Sequence, residues 1–222
     1  MNDAGGKLSN LAGAYLRDRY AILFYSLLFT LVSSPILAAL HRNGTELLLA
    51  ASLLAAVLPL NAVRSRPVLL VAMAALWLAR PFIDRLQLPS LSALTLGIWT
   101  IIALLAAAAA LRFAMSANQI SAEHLYAALS AYLLAGIYFG VLYWVLERLV
   151  PGTFNVSGDF SHASAIYFSF VTLATLGYGD IVPRGDIARG LAIVEGVGGQ
   201  LFLAVLVARL VSLYAKSENQ SS

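Results

Sequence analysis

The sequence predicts an all-α membrane protein of six transmembrane helices plus one short re-entrant helix. Composition, run length and one interrupted run lead there. The 222 residues are 60% hydrophobic and 11% charged, with a mean hydropathy of +0.82, whereas soluble domains carry about 25% charged residues. Their apolar runs approach the roughly 20 residues that cross a hydrocarbon core, and the length holds about six of them with no second soluble domain of ordinary size. One apolar run, Ala163 to Ala174, is too short to cross and leads into TLGYGD. A spanning helix has no use for the two glycines and would exclude the aspartate.

The elements follow in order. Residues 1–20 are mixed polar and read as a cytoplasmic N-terminal segment, not as a cleaved signal. Span one runs from Ala21 to Leu40 and stops at the polar turn HRNGTE. Span two covers Leu47 to Val63 and ends at Arg64–Arg66. Span three opens on Pro67, a good first helical residue, and fades near Arg80–Pro81. Span four covers Leu91 to Leu111. Ser116 to Glu123 connect it to span five, with Ser121 placed to cap the next helix. Span five runs from His124 to Leu149, and the turn-rich loop PGTFNVSGDF leads into the short apolar run. Span six covers Arg189 to Tyr214, and residues 215–222 are expected to be a short, disordered cytoplasmic tail.

Lys and Arg at the span ends weakly favour cytoplasmic positions for both termini of a multi-pass protein. The net charge of +3 is scattered, without the basic block that nucleic acid would require. The absence of cysteine excludes disulfides and thiolate metal sites.

The break at Thr172–Asp180, TLATLGYGD, is where chemistry is expected. Non-helical backbone at membrane depth is tolerated only when buried in protein or lining a water-filled cavity. Gly177 and Gly179 permit dihedrals that aim successive carbonyls the same way. Such a row can replace the water shell of a weakly hydrated cation. Thr175 is a candidate to add a hydroxyl at the inner end. The short helix would direct its negative dipole end toward the same cavity. Tyr178 is expected to face away from the ion path and brace the segment. Asp180 belongs at the outer mouth, where its charge concentrates cations.

Thr172 together with Thr175-Leu176-Gly177-Tyr178-Gly179-Asp180 resembles the potassium-channel signature, which in its common form reads TVGYG. The stretch from span five through span six resembles that family's pore module of outer helix, pore helix, filter and inner helix. With four spans before it, the chain is similar to the six-span, voltage-gated-like bacterial branch. The resemblance implies passive, potassium-selective conduction across a plasma or bacterial inner membrane, with no enzymatic activity and no cofactor beyond the permeant ion. Potassium would bind at Thr175, Leu176, Gly177 and Tyr178 in a filter that ends at Gly179, with Thr172 and Glu195 supporting the pore helix. One filter segment per chain implies a homotetramer in membrane lipid, and closed rings are the usual way to repeat one surface.

The resemblance has gaps. Leu176 replaces the common valine. Val171, Leu173 and Ala174 are apolar where some members carry an acid, and Tyr167-Phe168 replace a tryptophan pair. Residues 21–115 would form a four-helix sensor-like domain without gating charges, followed by the pore domain at 116–214. Steep voltage gating uses about 3–4 charges per subunit, yet no arginine stands between Leu91 and Leu111. A tail of eight residues is too short for a ligand-sensing domain of about 100 residues. The gate is therefore expected in the filter, the inner helix or a partner.

Glu195 is an ionisable group inside a span and requires a partner; hydrogen bonding behind the filter is its expected role. Gly196, Gly198 and Gly199 read equally as a hinge or as close helix packing, and Gly136 and Gly140 as packing. Arg209 is expected to be an interfacial anchor. Three further readings remain: an accessory subunit, a non-selective cation channel subunit, and a potassium-uptake transporter subunit. The undamaged filter argues against the first, the presence of Tyr178 against the second, and the intact Gly177-Tyr178-Gly179 in a single copy against the third.

Overall fold

The computed structural model describes residues 18–33, 35–36, 51, 75, 89–116 and 121–221. Spans two and three, and the end of span one, lie outside the described residues. Helix α1 covers residues 18–33. It is followed by α2 (Pro89–Ser116), α3 (Ala122–Leu149), strand β1 (Phe154–Asn155), α4 (His162–Leu173), strand β2 (Val182–Pro183) and α5 (Asp186–Ser221).

Among the described residues, three stretches are long and apolar enough to cross a membrane: Gly97–Ser116, Ala122–Leu149 and Asp186–Ser212. Helix α4 has 12 residues. At 1.5 Å per residue it spans only about 18 Å, too short to cross a hydrocarbon core of about 30 Å.

Small residues determine how α2 and α3 pack. Ala103, Ala106, Ala107, Ala110 and Ala114 line one face of α2 and are buried, as are Ala127, Ala128, Ala131 and Leu134 of α3. Lipid tails are as apolar as leucine, so helices gain from meeting mainly through close packing, which short side chains permit. Helix α1 buries Tyr20, Leu23, Leu27 and Thr30, a stripe at three- and four-residue spacing. Tyr20 stacks on Phe113 of α2, which stacks on His124 of α3. Ser121 stands in extended conformation before α3, and its hydroxyl meets His124 Nδ1 at 2.6 Å. The expected cap lies there.

The loops on either side of α4 are tied together. Strands β1 and β2 pair antiparallel, Phe154 opposite Pro183 and Asn155 opposite Val182. The Glu147 carboxylate accepts from the amides of Gly152 (2.8 Å) and Phe154 (2.9 Å). Arg184 donates to Asn155 Oδ1 at 2.9 Å. Both flanks of α4 and the segment after it are thus anchored to the end of α3.

One expectation is corrected. The polar end of the chain is not a disordered tail, because α5 continues as helix through Ser221. The stretch AKSENQS lacks the Gly or Pro that would stop a helix, and polar residues at helical spacing tolerate solvent on every side.

Candidate functional site

The segment after α4 reverses over the end of that helix. The Thr175 amide donates to the Thr172 carbonyl (3.0 Å), and the amides of Leu176 (2.8 Å) and Gly177 (3.4 Å) both donate to the Val171 carbonyl. Two of the last carbonyls of α4, those of Val171 and Thr172, are thereby satisfied.

Beyond the reversal the backbone alternates in hand. Thr175 has φ +55°, Gly177 +58° and Gly179 +78°, while Leu176 and Tyr178 between them stay negative. In an ordinary strand successive carbonyls point to opposite sides; switching hand at every second residue turns them to one side. Among the described residues, no hydrogen bond ends on a carbonyl from Thr175 to Gly179. An added Cβ at Gly177 or Gly179 would meet nothing within 4 Å. Glycine is needed there for its backbone freedom, not for room. Thr175 takes the same left-handed region with a side chain, at a conformational cost, and such strain clusters at functional sites.

Side chains brace this row. The Tyr167 hydroxyl donates to Asp180 Oδ2 at 2.8 Å. That carboxylate, hydrogen-bonded to the Tyr167 phenol, pushes it above its usual range, so the proton stays on the tyrosine. The rings of Tyr167 and Tyr178 lie nearly parallel, 11° apart in plane. At the start of the row, Gln200 of α5 reaches Thr175 Oγ1 at 3.5 Å.

Helix α4 is clamped between α3 and α5. A Cβ at Gly140 would stand 2.5 Å from the Ile166 backbone, and one at Gly136 2.5 Å from the Phe170 ring. A Cβ at Gly199 of α5 would stand 2.7 Å from the Leu173 carbonyl oxygen. Beside these approaches sits a buried polar group of three: Tyr143 and Ser169 are 0% exposed and Glu195 1%. Tyr143 donates to Glu195 Oε2 at 2.6 Å. The Ser169 hydroxyl lies 2.6 Å from the Gly136 carbonyl and is also hydrogen-bonded to Glu195 Oε1.

Residues 128–216 match the family model described as Ion channel. The match takes in α3 from its second turn, all of α4, the alternating segment and nearly all of α5. A two pore potassium channel c from Oryza sativa subsp. japonica is 38% identical over 83 residues, covering 36% of this chain and 18% of that protein. The inward rectifier potassium channel Kirbac3.1 of Paramagnetospirillum magnetotacticum is 32% identical over 89 residues, 38% of this chain and 28% of its own length. Protein LctB of Bacillus caldotenax is 29% identical over 101 residues, 42% of this chain and 75% of that protein. The chain spans less than a third of the length of the first two relatives. No solved structure matches.

The fold brings most of the sequence-predicted residues together. Thr172, Thr175, Leu176, Gly177, Tyr178, Gly179 and Asp180 form one continuous segment, and Glu195, Gly196 and Gly199 of α5 lie against the helix before it. Gly198 does not join them: a Cβ there would meet nothing within 4 Å. Tyr178 stacks as a brace, but its hydroxyl has no hydrogen-bond partner among the described residues. Sequence reasoning missed Tyr143, Ser169 and Gln200. The available signal was a lone carboxylate in an apolar helix, which demands partners on neighbouring helices without saying which.

Proposed function

We propose that the protein is a potassium-selective channel that conducts the ion passively, with Thr175 to Gly179 as the selectivity filter. The alternating backbone hand over these five residues, with no hydrogen bond to their carbonyls among the described residues, carries the reading. A row of such oxygens can hold a potassium ion stripped of water, at rings formed by Thr175, Leu176, Gly177 and Tyr178. The match of residues 128–216 to an ion-channel family, and the word potassium in the names of two relatives, support that choice of ion. Leu176 acts through its carbonyl, so its larger side chain leaves the ion-binding set intact.

One segment per chain supplies one wall, so the pore requires a homotetramer around a central axis. The exposed apolar face of α5, including Ile193, Val194, Val197, Leu201 and Val205, supports that assembly. The full chain is read as six spans in the cell membrane, similar to the voltage-gated-like branch, with both termini cytoplasmic. Thr172 and Glu195 hold the pore helix, and Gly196, Gly198 and Gly199 remain hinge candidates. Asp180 lies at the outer mouth, hydrogen-bonded by Tyr167. The deciding experiment is ion flux from liposomes holding the purified full chain. Potassium flux well above sodium flux is expected, whereas equal fluxes overturn selectivity and no flux of either ion overturns the channel.

A further inference from the structure

The three buried groups behind the filter pose a question of proton count. Three hydrogen bonds join them: Tyr143 to Glu195 Oε2, Ser169 to the Gly136 carbonyl, and Ser169 Oγ with Glu195 Oε1. Each needs its own proton. A carbonyl oxygen only accepts, so the Ser169 proton is committed to Gly136. The Tyr143 proton is committed to Oε2. The contact between Ser169 Oγ and Glu195 Oε1 then lacks a proton unless the carboxyl itself brings one.

The surroundings agree with a neutral acid. Glu195 is 1% exposed. From α3 the titratable groups facing it are Tyr143, in contact, and Tyr132, within reach of its field. From α4 the polar group in contact is Ser169. On its own helix, Asp186 and Arg189 lie more than one turn away and pair with each other at 3.8 Å. Among the described residues no Lys, Arg or His interacts with Glu195. Phenylalanines 154 and 168 stand edge-on to the Tyr143 ring and exclude water from that side. A bare carboxylate here would be a buried charge without a cation, one of the most unfavourable arrangements in a protein.

We propose that Glu195 is held as a neutral carboxylic acid donating its proton to Ser169, and that ionising it at alkaline pH unlatches the pore helix and shuts off conduction. The second half rests on the channel reading. When the proton leaves to a base in bulk water, Ser169 has one proton for two acceptors. The anion takes it, and the Gly136 link between α3 and α4 breaks. Helix α4 carries the Val171 carbonyl that anchors the Leu176 and Gly177 amides, so loosening it releases the start of the filter. Glu195 is a positioning residue that acts on the ion path through Ser169.

Two measurements on the full chain in liposomes test this. Infrared spectra near neutral pH should show a protonated-carboxyl band that E195Q lacks; identical spectra overturn the neutral acid. Potassium flux measured from about pH 6 to about pH 10 should fall roughly tenfold per pH unit beyond its midpoint, as for loss of one proton. In E195Q, which cannot ionise but keeps a donor for Ser169, that pH dependence should vanish; a pH profile like that of the parent overturns the switch. Should E195Q not assemble, Y143F decides: without the Tyr143 donor the anion is less favoured, so the midpoint moves to higher pH. An unmoved midpoint in Y143F overturns the switch. Absence of flux from the parent protein at every pH overturns the channel reading and with it the switch, while the infrared band still decides the protonation state.

Discussion

Gly177 and Gly179 have open space where a Cβ would go, so replacing either with alanine creates no clash. The effect comes from φ +58° and +78°, a region that costs an L-residue roughly 1–2 kcal/mol. G177A should therefore assemble normally while its carbonyls turn out of line. We expect the potassium-to-sodium flux ratio in liposomes to fall toward unity with the assembly intact by size. Tyr167 offers a gentler perturbation: Y167F removes the hydrogen bond to Asp180 and keeps the ring that stacks on Tyr178. Conduction should persist but decay faster when potassium is withdrawn and restored, as time-resolved flux would show. The glycines were legible from the sequence because few other residues take that backbone region. The left-handed turn at Thr175 was not, since threonine rarely adopts it and only the surrounding hydrogen bonds hold it there.

At the scale of elements, α4 is held by glycines whose sequence spacing looks alike but whose surroundings differ. A Cβ at Gly140 meets Ile166 backbone at 2.5 Å, and backbone cannot rotate away. G140A should push α4 off α3 and cost about 1–3 kcal/mol, as overpacking does. A Cβ at Gly198 meets nothing, and alanine favours a helix over glycine by about 1 kcal/mol. G198A should be neutral or stabilising. Thermal unfolding in detergent separates the two; equal shifts would mean that α3 and α4 are not in contact as described. The small-xxx-small spacing of Gly136 and Gly140 revealed a packing face in the sequence, and the structure supplied the partner. The bounds of α4 moved by one residue, His162–Leu173 against the expected Ala163–Ala174, while α5 ran seven residues past its expected end at Tyr214.

At the scale of the whole molecule, α5 is apolar yet only 11% buried over its spanning window, against 56% for α3. One face of α5 carries Glu195, bonded to Tyr143 and Ser169, and the opposite face is apolar and exposed, a surface that lipid or a second copy of the chain would cover. Size measurement in detergent should return about four times the 23.7 kDa chain mass. Residues 97–111 of α2 carry no charge, and Arg112 lies near the helix end. At about 2.3 kcal/mol per charge per 100 mV, a helix without charges has nothing for the field to move. Current recorded from the reconstituted protein should therefore show a shallow dependence on voltage; several gating charges per subunit would contradict that. The tail reading failed because polar composition does not by itself separate a helix from a coil.

The sequence by itself determined that the chain is a helical membrane protein and that its backbone leaves the helical path at Thr175–Gly179. Both follow from local physics: apolar run length decides what crosses lipid, and glycine decides where the backbone may reverse its hand. Only the tertiary structure decided what stands behind that segment. Tyr143, Ser169 and Glu195 come from three helices separated by 26 residues or more, and no local pattern encodes their meeting. Their contacts exist because Gly136 and Gly140 of α3 and Gly199 of α5 let two backbones close on α4, a distance that only the packed fold sets.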